Sequence, residues 1–271
     1  MQKAMELVLN TVYEPLFQPT SHGFRPNKSA HSALKMIDVP TQFKGASWFI
    51  EADITKCFDS INHSQLLSIT SRVIKCQKTL ALIRNSLKAG HVELGKDGDA
   101  SLRDMTGTPQ GSVLSPLLCN IYLHELDKHM REISNEYDKG DSRRKSPAYT
   151  RIRGSHAIGK AKSLRAKKGW EMSSPIPGMR EKISHPQLLR QQLRQIRAKD
   201  MMDPNFVRVR YVRYADDFLI SVIGPRSLAL EIKERVSQFL AENLGLQMNE
   251  AKTSITNASQ HTASFLGTYI R

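Results

Sequence analysis

Two adjacent carboxylates, Asp216 and Asp217, lie inside Tyr211-Val212-Arg213-Tyr214-Ala215-Asp216-Asp217-Phe218-Leu219-Ile220. Asp tolerates turn conformations while Tyr, Val, Phe and Ile favour a pleated surface, so the stretch predicts two short strands joined by a tight acidic turn. Neighbouring carboxylates repel each other, and a protein either leaves such a pair in water or sets a cation between them. A third acid, Asp53, ends a second apolar run, Trp48-Phe49-Ile50-Glu51-Ala52-Asp53-Ile54, where an uncompensated charge is costly to bury. Two such strands side by side would gather Asp53, Asp216 and Asp217 around divalent metal, the arrangement that in-line phosphoryl transfer uses to steady attacking and leaving oxygens. For an Asp-Asp pair taken alone, a solvated turn is the plainer alternative.

The elements that must position these acids fit within limits set by composition. With 271 residues, 39% of them hydrophobic, the chain can bury a substantial core in one large domain or two small ones. Cys57, Cys76 and Cys119 show no paired spacing, so neither a zinc site nor a disulfide framework is expected. No apolar run approaches the roughly 18 residues of a membrane helix, and the start is unlike a secretion signal, so a soluble chain is expected. The net charge of +14 is localised. Between Lys139 and Lys199 there are 17 Lys and Arg against 3 Asp and Glu, a net of +14, which leaves 23 of each sign elsewhere. A neutral body with one concentrated basic segment predicts an electrostatic contact for a polyanion, with a solvated linker as the alternative.

In chain order, Met1, Met5, Val8 and Val12 form a helical stripe with Ala4 and Leu9 beside it. The missing cap at Met1 suggests a body that extends further or borrows a partner. A loop over 21–28 follows, in which Arg25 and Lys28 could face a phosphate, then a short helix capped by Ser29. Beyond the strand over 47–54, Phe58 lies where it could wall a pocket at the metal or simply join the core, and a helix starts near His63. Residues 90–104 read as a hairpin or loop. Thr106 to Pro116 is a turn into a helix with Ser115 as N-cap, whose buried face is Leu118, Ile121, Tyr122 and Leu126, leaving Glu125, Asp127 and Lys128 in water. In the basic segment, Gln187 to Lys199 predicts a helix with Arg190, Arg194 and Arg197 on one face. A helix opened by Pro225 and Ser227 and closed by Gly245, a strand over 246–249, and a last apolar patch at Phe265 to Ile270 complete an α+β plan with the acids on a central sheet.

The order of motifs resembles the reverse transcriptase domain of group II intron-encoded maturases of the mitochondrial type. Gly23-Phe24-Arg25-Pro26 is similar to that family's second block, and Asp53 with Phe58-Asp59 to its first palm motif. Thr108-Pro109-Gln110-Gly111 with Ser115-Pro116-Leu117-Leu118 resembles the next motif. Tyr214-Ala215-Asp216-Asp217 is similar to the polymerase signature, Leu244-Gly245-Leu246 through Lys252-Thr253 to the motif after it, and Phe265-Leu266-Gly267 to the start of the primer grip.

The resemblance implies an α+β polymerase palm, an antiparallel sheet with packed helices. It divides the chain into partial fingers (1–46), palm (47–138), basic RNA-contacting insertion (139–205) and the remaining palm with the acidic hairpin (206–271). It implies RNA-directed DNA polymerase activity with two Mg²⁺ on Asp53, Asp216, Asp217 and the Ile54 backbone, and a mitochondrial location. Phe58 would exclude a 2′-hydroxyl, Gln110 and Gly111 would lie against the template–nucleotide pair, and Lys252 near the leaving phosphate, with Arg25 in the nucleotide-binding set. Arg143, Arg144, Lys145, Lys167, Lys168, Arg190, Arg194 and Arg197 would contact RNA. Implied partners are intron or template RNA, a DNA primer, deoxynucleoside triphosphates and a second polypeptide supplying a thumb or maturase domain. A fingers block before Met1 and a thumb after Arg271 are missing from the pattern, which leaves a non-catalytic RNA-binding splicing factor as the alternative. A nucleotidyl cyclase or nuclease shares the two-acid logic but does not account for the motif order.

Overall fold

The computed structural model describes residues 1–38, 45–88, 92–94, 100–102, 107–108, 111–154, 193–196, 198–200 and 203–270. They fall into two compact units, Met1–Lys139 with Val207–Arg271, and Gly140–Phe206.

The first unit is built on a four-stranded antiparallel sheet. Its strands are β1 (Trp48–Ala52), β4 (Arg208–Tyr214), β5 (Asp217–Ile223) and β6 (Ser254–Asn257), in the order β4-β5-β1-β6. Between β1 and the hairpin come helices α3 (Cys57–Ser60), α4 (His63–Val73), α5 (Gln77–Lys88) and α6 (Ser115–Tyr137), with a small hairpin of β2 (Val92–Leu94) and β3 (Ala100–Leu102) between the last two. Helices α1 (Gln2–Tyr13) and α2 (Ala30–Asp38) precede the sheet, α7 (Arg226–Leu244) follows β5, and a terminal hairpin pairs β7 (Ala263–Phe265) with β8 (Thr268–Ile270).

Side chains on a strand alternate between faces, so each strand feeds two cores. Ile50, Ala52, Val209, Tyr211, Phe218, Ile220 and Val222 face a large cluster with Leu118, Ile121, Tyr122 and Leu126 of α6 and Ile232, Val236 and Leu240 of α7. Phe49, Val212 and Leu219 point the other way, into a smaller cluster with Ala33 and Ile37 of α2 and Ala263 and Phe265 of β7. Burying each such large side chain contributes about 1.5–3 kcal/mol. Both cores therefore hold the strand ends that carry the acids.

The helix ends follow local chemistry. Ser29 accepts from the Ser32 backbone N–H while the Ser32 hydroxyl accepts from that of Ser29, a reciprocal cap on α2. Asn62 caps α4 through Gln65 N–H, and Gly245, at φ 60°, closes α7.

Four sequence expectations are corrected. On α1 the buried residues are Leu9 and Tyr13, while Met1, Val8 and Val12 are exposed. Tyr13 stacks on Phe17 and sets the rotation of the helix. Ser115 is the first residue of α6 rather than its cap, Leu114 taking that place. Residues 246–249 make only a bridge, Met248 to Ile54, and the edge strand lies later, at β6. Asp127, expected in water, is 1% exposed.

Within the second unit, residues 147–154 and 193–195 are helical, and the remainder of the predicted 187–199 helix lies outside the described residues. No helix among the described residues is long and apolar enough to cross a membrane.

Candidate active site

The register of β1 against β5 pairs Ala52 with Phe218, which sets Asp53 and Asp217 opposite each other one step further on. Asp217 opens β5, and Asp216 is the second residue of the Ala215-Asp216 turn that joins β4 to β5. Asp53 and Asp217 lie within hydrogen-bonding reach of each other, and Asp216 is close enough for all three charges to interact. The three acids expected to meet therefore do so, at one end of the sheet.

Burial pushes the Asp217 carboxyl up to about 6, with the Asp53 and Asp216 carboxylates adding to the shift. Burial also raises Asp216, helped by Asp53. Lys252 Nζ stands 2.9 Å from Asp53 Oδ2, and its hydrogen bond to Asp53 raises the ammonium pKa. Asn249 donates to the same oxygen from Nδ2 at 3.3 Å and from its backbone N–H to the Asp53 carbonyl at 2.8 Å. Three close carboxyls are an all-oxygen donor set with surplus negative charge, which suits a hard divalent cation. They fit by charge and donor type rather than by preset spacing, since among the described residues no three His, Cys, Asp or Glu stand in metal-ligating geometry.

The turn carrying Asp216 is fixed from beneath by Arg213, which is 0% exposed. Its guanidinium donates to both Asp127 oxygens at 2.8 and 2.7 Å, to Asn120 Oδ1, to Ser21 Oγ and, at 2.8 Å, to the Ala215 carbonyl. Tyr211 also donates to Asp127 Oδ1 at 3.0 Å. Every donor direction of the fork is used, which a buried guanidinium requires. Arg213 alternates with Val212 and so lies on the sheet face opposite Asp217. Sequence reading missed this network. Its only sign was an Arg between strand residues Val212 and Tyr214; Asp127, between Leu126 and Lys128, gave none.

From the front the turn meets the Gly23 loop. A Cβ on Gly23 would lie 2.2 Å from Ala215 N, so only glycine permits the approach. The loop is stitched to β4 by His22 N–H to the Arg213 carbonyl and by Arg213 N–H to the Thr20 carbonyl, both 2.9 Å. Ala215 and Phe24 adopt positive φ, 56° and 55°, which for residues with a Cβ costs roughly 1–2 kcal/mol each. Both persist because contacts on either side leave no alternative.

Arg25 is corrected. Its guanidinium is bound to Glu14 at 2.7 Å and to the Gln18 and Ser21 carbonyls, so it braces the loop rather than facing a phosphate. Phe58 is half-buried and meets Phe24 edge-on, ring centroids 6.2 Å apart. Thr108 N–H donates to the Phe58 carbonyl at 2.7 Å, and a Cβ on Gly107 would sit 2.4 Å from that oxygen, so Gly107 and Thr108 are tied to α3. Gly111 is exposed with φ 87°, and Gln110 lies outside the described residues. Ile54 is buried and bridged to Met248. Phe265 is buried, and Leu266-Gly267, both at positive φ, form the turn between β7 and β8. Glu51, also missed, ties that hairpin to β1 by accepting from Ser264 N–H at 2.8 Å, and β6 by accepting from Thr256 Oγ1 at 2.6 Å.

In the second unit Arg143 is buried with its guanidinium over the Phe206 ring at 5.5 Å. Arg144 pairs with Asp200 at 2.8 Å, Lys145 bridges Lys199, and Arg194 is exposed. Lys167, Lys168, Arg190 and Arg197 lie outside the described residues.

The group II intron-encoded protein LtrA of Lactococcus lactis is 40% identical over the whole of this chain, which spans 42% of that protein. An uncharacterized 91 kDa protein in the cob intron of Schizosaccharomyces pombe is 37% identical, and a putative COX1/OXI3 intron 1 protein of Saccharomyces cerevisiae 35%. The chain spans 31% and 29% of these two. Among solved structures, apo telomerase from Candida tropicalis shares the fold at a TM-score of 0.57 with 14% identity, over 98% of this chain and 42% of that one. Residues 1–139 and 165–270 match the model for reverse transcriptase (RNA-dependent DNA polymerase), and with three acids assembled on the sheet that its motifs imply, the chain belongs to the reverse transcriptase family.

Proposed function

We propose that this chain is the RNA-directed DNA polymerase domain of a group II intron-encoded protein, linked to intron RNA splicing and mobility. The convergence of Asp53, Asp216 and Asp217 on one sheet end carries the proposal. When bound by these carboxylates and the Ile54 carbonyl, two Mg²⁺ would acidify a primer 3′-hydroxyl and neutralise triphosphate charge. The protein's own residues do the rest. Phe58 flanks the deoxyribose of an incoming deoxynucleoside triphosphate and Gln110 and Gly111 back the template pair. The Phe265-Leu266-Gly267 turn, tied to β1 through Glu51, supports the DNA primer end. Lys252 lets go of Asp53 and turns its ammonium to the leaving phosphate. Intron or template RNA meets the basic segment at Arg144, Lys145, Lys167, Lys168, Arg190, Arg194 and Arg197.

Primer extension on an RNA template by the purified chain, alone or with a thumb-containing polypeptide added, tests the reading. Mg²⁺-dependent extension that disappears in Asp216→Asn is expected. RNA binding without extension under either condition would leave the splicing-factor alternative in its place. Mitochondrial residence is supported by relatives such as the mitochondrial protein ymf11 of Marchantia polymorpha, 32% identical, although LtrA is bacterial. Fractionation of the source cells tests it.

A further inference from the structure

Phe24 is 53% exposed and follows Gly23, whose backbone meets Ala215 in the acidic turn. An exposed ring on a loop is commonplace, but this one is held at φ 55°, where Gly or Asn is the ordinary choice. Glycine is used one position earlier, where Ala215 leaves no room for a Cβ. The loop cannot relax, because Asn120 Nδ2 holds the Gly23 carbonyl at 2.8 Å and Arg25 is locked to Glu14. The ring itself is oriented by Phe58, whose plane is inclined at 76° to it. Backbone strain retained at an exposed side chain marks a position kept for something other than packing.

We infer that Phe24 is a stacking platform for a nucleobase at the mouth of the acid cluster, with Phe58 as the wall that holds it upright. The inference rests on the proposed reading that a nucleic-acid end approaches Asp53 and Asp216. Phe24 shares its loop contact with the residue before Asp216, and its partner Phe58 follows Asp53 by five positions. A base lying on the ring would therefore stand beside the acids. An aromatic face accepts any base, since every base has a π-surface, so the contact would contribute affinity without sequence preference. A nucleobase can come from the unpaired template strand or from the incoming nucleotide.

The test uses the 271-residue chain with a DNA primer annealed to an RNA template that carries 2-aminopurine at the first unpaired template position, in Ca²⁺ buffer. Phe24→Tyr should preserve the emission change seen on binding, while Phe24→Leu and Phe24→Gly should abolish it and weaken duplex affinity about tenfold. Phe24→Gly relieves the strained φ, so it should melt no lower than the parent. Lost binding without lost stability separates a contact from a packing role. A 2-aminopurine signal and a nucleotide affinity both unaltered by Phe24→Leu, or lost affinity that tracks lost thermal stability across the variants, overturns the proposal. To locate the base, fluorescent-nucleotide binding is measured beside it. A loss confined to 2-aminopurine assigns the template, and one confined to nucleotide affinity assigns the incoming base. A chain that stacks a base in Ca²⁺ buffer yet never extends a primer in Mg²⁺ would refute the polymerase reading and not this one.

Discussion

Two ion pairs flank the acidic turn, and they differ in nearly every physical respect. Arg213 and Asp127 are both 0% exposed in their side chains, and their charges are satisfied by each other and by Tyr211, Asn120, Ser21 and a turn carbonyl. Lys252 and Asp53 are 2.9 Å apart with side chains 66% and 13% exposed. The buried pair cannot open without leaving a charge in a medium that cannot solvate it, so it acts as framework. The exposed pair is screened and exchanges partners at little cost, as a group that must yield to an arriving cation and phosphate needs to. Rigidity lies on one sheet face beneath the acids and exchangeability on the other, beside them.

The strongest way to break this contrast is Asp127→Ala, which leaves Arg213 buried and unpaired. A loss of about 3–5 kcal/mol in denaturant unfolding is expected, and Asp127→Leu combined with Arg213→Met should recover much of it. A double variant no more stable than Asp127→Ala would show that the geometry of the network, not charge compensation, holds the turn. Next in size is Gly23→Ala, whose Cβ meets Ala215 N at 2.2 Å. A loss of roughly 1–3 kcal/mol is expected from overpacking, together with weaker primer extension because Asp216 is displaced.

On the exposed side, Lys252→Ala should leave the melting temperature within a degree or two while Mn²⁺ titration followed by electron paramagnetic resonance shows tighter binding, since Asp53 loses its competing ammonium. Unchanged Mn²⁺ affinity would mean that the lysine does not guard the site. The smallest effect concerns Asp217. Its folded-state carboxyl titrates at about 6 against 3.8 ordinarily, so the native chain holds more protons than the unfolded one between those values. That contribution to stability is full below about 4 and is lost as pH rises through 6. Asp217→Asn removes it, and the melting-temperature difference between variant and parent should widen in the variant's favour from pH 4 to pH 7. A constant difference would contradict the crowding of the three acids.

Much of this was legible in the chain itself. The period-two runs around Asp53 and Asp216-Asp217 fixed strands and a hairpin, because apolar alternation and turn chemistry are local. Ser29, Pro225 and Gly245 marked helix ends for the same reason, and the charge count located the basic segment. Arg25 and Asp127 show the limit. Arg25 read as facing a phosphate and Asp127 as facing water, and both are braces in the structure, because the partner that holds each is 11 residues away in one case and 86 in the other. Likewise the α1 stripe was misplaced, since burial of a helix face depends on what packs against it.

The sequence by itself determined that three carboxylates would be carried on strand ends and that one segment would hold the excess positive charge. Only the tertiary structure decided that Asp53 and Asp217 face each other, that Arg213 and Asp127 neutralise one another beneath the turn, and that Phe24 is held strained at the rim. Strand propensity and net charge are sums over neighbouring residues, whereas register, ion pairing and strain depend on groups brought together across long loops by the burial of two cores.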